Sequence, residues 1–455
     1  MKPLPTFRCY EPNQLLLLPP DMADWLPADH LIYFVRDVVK QMDLSGIYDS
    51  YDGSQGGYPP YHPEMMVSLL IYAYSVGMTG SRQIEKATYE SVPFRVLTAD
   101  QHPDHDTIAE FRRRHLKVLS SLFLQVLRLC RKAGLVKLGH VSLDGTKVHA
   151  NASKHKAMSY GRMQKTEQEL EAEVQRLLKE ADAKDKEEDD RYGKGRRGDE
   201  LPEELRFKGS RLAKIREAKE ALEEEARREA QQKRAEQDKK KDDCDRRGRP
   251  PKVPSEQPDP KAQRNFTDSD SRIMKDGATK SFEQCYNCQA AVDGDSQIIV
   301  ATGVTQETND KRQLKPLLDT VKRHLHKKPK KVSADSGYYS EDNLSFLEAE
   351  GIDGYVATGR MKHTSQVVPA PRGRIPQWAT VKERMARKLR TVKGRRLYGK
   401  RKTIVEPVFG QIKHVRNFRQ FLLRGIEKVT SEWDLVCLGH NLLKLFRSGW
   451  SPARA

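Results

Sequence analysis

From Met158 to about Lys241 the chain is built almost wholly from Glu, Lys, Arg, Ala and Leu, and no other feature limits the fold so much. Such a stretch favours helix, but its apolar seam is thin. Leu170, Val174 and Leu177 share one helix face, and Leu212, Ile215, Ala218 and Leu222 share another. Tyr192–Asp199 holds Gly193, Gly195 and Gly198 and breaks the helix. The pattern predicts an antiparallel helical hairpin laced by charge pairs, with partial disorder as the alternative.

The part before it, to about Leu138, reads as helical. His30–Met42 carries Leu31, Phe34, Val35, Val38, Val39 and Met42 at helical period. Pro63–Val76 is a strongly apolar helix, Ser81–Tyr89 a short polar one, and Gly53–Tyr61 a loop. Thr107 and Glu110 have capping-box spacing at the start of Asp104–His115. The exposed side of that helix is expected to show Arg112, Arg113 and Arg114, and Leu116–Ala133 continues as an apolar helix. Short helices with a basic end suit a helix-turn-helix-like DNA reader; a plain bundle with a solvated basic face fits equally.

From His140 the period changes. His140–Asp144 is a short strand. After the charged stretch, Cys288–Val292 and Gln297–Val304 form a hairpin about Asp293–Asp295 with Gly294 in the turn. Asn309 is expected to cap a helix over Asp310–His324. Lys331–Asp335 is a strand, Glu341–Glu350 a helix ended by Gly351, and Asp353–Ala357 a strand. This order makes an α/β chain with a mixed sheet, one hairpin, a basic connector and C-terminal helices.

The formal charge is +18, which points to a polyanionic partner: nucleic acid first, an anionic membrane surface second. Between Arg372 and Arg419 stand 16 Lys or Arg against two acids, Glu383 and Glu406. Six cysteines make no disulfide framework in a chain of 455 residues and suit a reducing cytoplasm. Cys285 and Cys288 form a lone CxxC without the second pair of a zinc site, so two small buried strand residues are the simpler reading. His149 and His155 show no metal spacing. No apolar run spans a bilayer, and Leu15–Leu18 is stopped by Pro19 and Pro20, so no signal peptide is expected.

Asp144 in VSLDGTK and Asp335 in VSADSGYYS end short apolar strands, where loops leave side chains clear of the core. Glu406, in RKTIVEPVFGQIK, is nearly alone among cations; Thr403 at capping-box distance and Pro407 beside it also suit a helix start. Asp293 and Asp310 fall nearby, each with a turn or cap explanation. Three carboxylates on distant segments can hold divalent cations. Two such ions, about 3.5–4 Å apart, activate an attacking oxygen and stabilise a leaving one at a phosphodiester. Mg²⁺ is a hard cation that takes oxygen ligands.

The three segments resemble the acidic triad of DDE transposases with an RNase H-like core. Such transposases carry a tyrosine, arginine, glutamate and lysine signature on the last catalytic helix, and here Tyr398, Arg401, Glu406 and Lys413 stand in that order. The gap from Arg401 to Glu406 is wider than the family's, whereas that from Glu406 to Lys413 agrees and spans nearly two helical turns. YHPEMMVSLLIYAYSVGMTGSRQIE and HPDHDTIAEFRRRH resemble the N-terminal domain of many bacterial insertion-sequence transposases. DGTKVHANAS, YNCQAAVD and ADSGYYS resemble the catalytic core. The charged insert resembles that of the eleven-eighty-two group of the IS-four/IS-five-like superfamily.

The resemblance implies four parts. They are a helical DNA-binding or dimerisation domain over 1–138, the first catalytic strand over 139–155, a partly disordered helical-hairpin insertion over 156–270, and the rest of the RNase H-like domain over 271–447. It also implies Asp144, Asp335 and Glu406 as ligands of two Mg²⁺ ions, which Mn²⁺ can replace. Tyr398, Arg401, Lys413, Arg112 and Arg113 are the expected DNA contacts. Arg247-Gly248-Arg249-Pro250 is similar to an AT-hook core, in which Arg247 and Arg249 enter a narrow minor groove; a basic, proline-stiffened hinge is the alternative. The implied activity is cleavage at terminal inverted repeats and transfer of the freed 3′-hydroxyl to target DNA, by a homodimer or higher homo-oligomer in the bacterial cytoplasm. The alternatives are an RNase H-fold nuclease without strand transfer and a non-catalytic DNA-binding descendant.

Overall fold

The computed structural model describes residues 8–11, 24, 26–51, 58–192, 203–242, 253–275, 281–359, 373, 375–376 and 378–451. Arg247 and Arg249 lie outside the described residues, as do Leu15–Leu18, residues 53–57 and residues 193–199. The chain forms two compact units, one of Met1–Ala150 with Cys285–Ala455 and one of Asn151–Gln284. The helical N-terminal part and the acid-bearing sheet thus belong to one unit.

Seven helices open the first unit: α1 Leu31–Lys40, α2 Ser45–Tyr48, α3 Pro63–Ser75, α4 Ser81–Glu90, α5 Val92–Thr98, α6 His105–Arg114 and α7 Leu116–Lys132. α2 and α5 were too short to show a period. α1 buries Ile32, Phe34, Val35, Val38 and Val39, and the His30 ring accepts from the Ile32 amide to cap it. α6 is capped by Asp104, whose carboxylate accepts from the Thr107 amide at 2.6 Å. The expected Thr107–Glu110 box is therefore not formed, and Glu110 pairs with Arg113 instead.

Arg112 corrects a second expectation. It lies one residue after Phe111 and four after Ile108, on the buried face, and is 5% exposed. Its Nη1 donates to the Thr79 carbonyl at 2.8 Å and to the Tyr74 hydroxyl at 3.2 Å, and its Nη2 donates to Ser81 Oγ at 3.0 Å. A guanidinium so enclosed cannot reach DNA.

Strand β1, Val141–His149, runs five residues past the expected end. The second unit follows, with β2 Ala157–Ser159, α8 Tyr160–Tyr192, α9 Glu203–Asp242, β3 Gln263–Asn265 and β4 Arg272–Lys275. β2 and β3 pair antiparallel and bring the two ends of the unit together. α8 and α9 run antiparallel over a core of Tyr160, Met163, Leu170, Leu212, Ile215, Ala218 and Leu222. Glu167 takes Arg216 at 3.0 Å and Lys219 at 2.8 Å, and Glu173 takes Lys208 at 2.8 Å. Solvent-accessible pairs of this kind contribute about 0–1 kcal/mol each even when half-buried, so the thin apolar seam carries the hairpin.

The chain continues with β5 Phe282–Asp293, β6 Ile299–Thr305, α10 Leu314–Leu325, β7 Lys331–Ala334, α11 Glu341–Ala349 and β8 Asp353–Val356. It ends with α12 Val381–Arg390, α13 Val392–Gly399, α14 Arg401–Ile404, α15 Glu406–Gly410, a π-helical turn over Gln411–Val415, and α16 Ile426–Arg447. Five strands of the first unit lie in one mixed sheet in the order β6-β5-β1-β7-β8. β5 runs antiparallel to both of its neighbours, β6 and β1, and β1, β7 and β8 run parallel. α10 begins four residues later than expected, after Gln313; Asn309 accepts from the Lys311 amide in a turn rather than capping the helix.

α16 packs on α7, α3 and β6 and is buried on most of its circumference, with Trp433, Leu435, Val436, Leu438, Leu442 and Leu445 inside. Its polar residues make specific attachments. Trp433 Nε1 donates to the Gln289 carbonyl, and Asn441 bonds both the amide and the carbonyl of Ile299. The buried Glu432 carboxylate accepts from the Leu422 and Leu423 amides. Burial pushes that carboxyl up, while these amides, Arg112 and Tyr74 hold it down.

Asp434 sits between Ser120 Oγ at 2.5 Å and Thr302 Oγ1 at 2.6 Å. Burial pushes its carboxyl up to about 6, against the pull of both hydroxyls. Since the folded value exceeds the unfolded one, its contribution is full below about pH 4 and is lost as pH rises to about 6. Asp434→Asn should gain on the order of 1–3 kcal/mol over wild type between pH 4 and pH 7 in urea unfolding; parallel pH profiles would contradict this. Arg112→Ala should cost about 1–3 kcal/mol, because it leaves the buried Thr79 carbonyl and Tyr74 hydroxyl without their partner. Arg113→Ala should stay within about 0.5 kcal/mol.

Candidate active site

The parallel pairing of β1 with β7 sets Leu143 against Ala334. The next residue on each is an acid. β7 ends there, and Asp335 turns to accept from the Gly337 amide at 2.9 Å, capping the short turn Ser336–Tyr338. Asp144 is not at a strand end, since Gly145–His149 remain paired with β5. It stands where β1 loses its parallel neighbour, which frees one flank of the strand.

The third acid comes from the basic helices. Arg401 Nη1 lies 3.2 Å from Asp144 Oδ2 and 3.5 Å from Glu406 Oε1. One nitrogen thus bridges two carboxylates, which lie closer together than the sum of those lengths. In an unbroken helix, residues five apart point roughly 140° away from each other. The helix is interrupted at Val405, between α14 and α15, and the Glu406 carboxylate lies within reach of the same guanidinium.

Pro407 accounts for the break. It has no N–H to offer the Thr403 carbonyl, and Gln297 Nε2 donates to that carbonyl instead at 2.7 Å. Gln297 is held in turn by Lys444 Nζ on its Oε1 at 2.6 Å and by the His440 ring on its carbonyl at 2.9 Å. The expected Thr403–Glu406 box is absent: Thr403 Oγ1 donates to the Lys400 carbonyl, and no side chain caps α15.

The charges here are constrained. Burial pushes the Asp144 carboxyl up to about 7; Arg401 works against this, and Asp335 and Asp310 add to it. Burial raises Asp335 as well, again with Arg401 opposing and Asp310 adding. Arg401 is desolvated, which disfavours its charge, yet Asp144, Tyr398 and Asp335 outweigh that and hold it more firmly protonated. Tyr398 also hydrogen-bonds Arg401. Lys413 lies in the π-helical turn, so it does not continue one α-helical face from Glu406, and its Nζ donates to the Lys147 carbonyl of β1 at 2.6 Å.

Asp310 is the residue that sequence reasoning passed over. Its Oδ1 accepts from Gln289 Nε2 at 2.6 Å and from Asn287 Nδ2 at 2.8 Å. The signal was present: two amides at i and i+2 in the stretch Cys285–Val292 share one face of the strand and need a buried acceptor. Asp293, by contrast, accepts from the Leu138 and Asp295 amides and serves the hairpin turn. Cys285 and Cys288 are buried on β5, three residues apart and so on opposite faces.

The donor set is chemically suited to a hard divalent cation: carboxylate oxygens, two of them on desolvated acids that gain from nearby positive charge. Among the described residues no three His, Cys, Asp or Glu side chains converge closely enough to hold an ion as they stand. Arg401 holds the positive charge between Asp144 and Glu406 in this arrangement.

Residues 252–442 match the family described as Transposase DDE domain, and residues 20–114 match that described as Transposase domain (DUF772). No curated protein and no solved structure matches the chain. Among the described residues no helix is long and apolar enough to cross a membrane. The first match takes in Asp310, Asp335, Tyr398, Arg401, Glu406 and Lys413 but begins after Asp144. Two transposase-domain matches, one on the opening helices and one on the segment bearing Asp335 and Glu406, indicate a transposase of the DDE type.

Proposed function

We propose that this protein is the transposase of a bacterial insertion sequence of the eleven-eighty-two group, which binds its element's terminal inverted repeats, cuts there, and transfers the freed 3′-hydroxyl onto target DNA. The observation that carries this reading is the position of Asp144. It lies outside the matched DDE segment, yet β1 pairs between β5 and β7, beside Asp335, and Arg401 joins it to Glu406. The order β6-β5-β1-β7-β8, with acids on the first and fourth strands in sequence, supports an RNase H-like core.

Asp144, Asp335 and Glu406 would hold Mg²⁺ or Mn²⁺. Such ions would supply activation of the attacking oxygen and stabilisation of the leaving one. Arg401, fixed by Tyr398, neutralises Asp144 and positions the phosphate backbone. Lys413, held on the Lys147 carbonyl, offers its charge about 10 Å along β1 from Asp144, given the rise per strand residue. The cations of α12–α14 bind phosphates through counterion release, so affinity falls with salt. Arg113, Arg247 and Arg249 add contacts to duplex DNA. Arg113 remains exposed for this, though paired with Glu110. The active species is a homodimer or higher homo-oligomer on DNA, in the bacterial cytoplasm.

Purified protein incubated with labelled element-end DNA and Mg²⁺ or Mn²⁺ should cleave and join. Asp335→Ala and Glu406→Gln should each lose more than about 100-fold, a loss that outer-shell partners of a metal already reach. Mutants that still cleave and join would remove the triad assignment. Wild-type cleavage without joining would mark a nuclease.

A further inference from the structure

Asp310 lies in the loop between β6 and α10 and does not cap that helix. Its surroundings are built. Asn287 and Gln289, 2% and 1% exposed, both direct amide N–H groups at its Oδ1. The buried Tyr338 hydroxyl donates to Gln289 Oε1 and so turns the Gln289 amide nitrogen toward Asp310. Gln289 Nε2 also donates to Asn287 Oδ1 at 3.0 Å, and Asn287 Nδ2 donates to the Glu307 carbonyl at 3.1 Å, so both amides have fixed orientations.

Two glycines stand against the Asp310 carboxylate, one at each oxygen. A Cβ on Gly337 would stand 2.9 Å from Asp310 Oδ2 and 3.0 Å from Asp335 Oδ1. A Cβ on Gly145 would stand 2.7 Å from Asp310 Oδ1 and 2.5 Å from Gln289 Nε2. Gly145 directly follows Asp144, and Gly337 is two residues past Asp335. At both acids, therefore, a side chain is missing where the Asp310 carboxylate stands. The amides fix one oxygen, and the second adjoins the Asp335 turn.

We propose that Asp310 is a fourth acid of the centre, a positioning residue whose charge, acting through Asp335, sets how tightly the site captures a divalent cation. This rests on the cation-dependent reading given above. A carboxylate held beside a metal-binding acid without being needed for the fold's own caps adds anionic charge that a bound cation would offset.

The discriminating variant is Asp310→Asn. Its carbonyl oxygen can still accept from Asn287 and Gln289, so the cradle stays and only the charge is removed. Mn²⁺ binding by the full chain without DNA is read from the electron paramagnetic resonance of free Mn²⁺, and thermal melting is recorded without metal. D310N should bind Mn²⁺ about 10–100-fold more weakly, the range for partners that support metal ligands, with its metal-free melting unchanged. Asp335→Asn, which removes a proposed ligand, should bind no Mn²⁺ at the site. If D310N matches wild type while D335N has lost binding, the role of Asp310 is overturned and the cation reading stands. If wild type shows no Asp335-dependent Mn²⁺ binding, both are overturned. Should D310N melt early, Asp310→Glu, which keeps the charge, decides: affinity nearer wild type than that of D310N upholds the role, and equal loss refutes it.

Discussion

The pairing of β1 is the constraint on which the rest of the first unit depends. Along its length β1 is bonded antiparallel to β5, and over Val141–Leu143 it is bonded parallel to β7 as well. Its partners come from the far side of the second unit in sequence, so the sheet must be closed across it. The entropic cost of closing a loop rises only logarithmically with its length, and the β2–β3 pairing shortens the loop further by joining the ends of the insertion. A helical hairpin with its own apolar seam can therefore interrupt the sheet after the first strand without dispersing the acids.

α16 then ties the sheet to the opening helices. An apolar helix alone would supply burial but little orientation. Here Trp433 and Asn441 bond the backbones of β5 and β6, Asp434 joins α7 to β6, and Glu432 faces Tyr74 and Arg112 from the N-terminal helices. Buried polar groups are costly unless satisfied, so these bonds favour one seating of the helix over its neighbours. The first 138 residues and the acid-bearing sheet consequently make one compact unit, where the sequence suggested separate parts.

Much of this was legible in advance. The strands, among them the two that lead into Asp144 and Asp335, the hairpin turn and the charged helical pair all leave periodic or punctuating signals. What was misread shares one physical cause: the local patterns were ambiguous, and partners distant in sequence decided them. Thr403 and Glu406 had the spacing of a cap, but Pro407 broke the helix between them. Asn309 had the chemistry of a cap, but the helix starts later. Arg112 belonged to a basic triplet, yet its place on the face of Ile108 and Phe111 buried it. Asp310 looked like a loop acid because the two amides that hold it are on β5, and only their i, i+2 spacing hinted at an acceptor.

Gln297 gives the site an unexpected dependence. This one turn residue, at a positive φ of 59°, receives His440 and Lys444 from α16 and hands a proton donor to the carbonyl that Pro407 leaves bare. The angle at which Glu406 meets Arg401 is thereby inherited from a helix that does no chemistry. Residues 297, 440 and 444 consequently form a mechanical linkage, and drift at any one of them changes the aim of a carboxylate it never touches. Tolerance to substitution in such a chain is set by these remote struts as much as by distance from the acids.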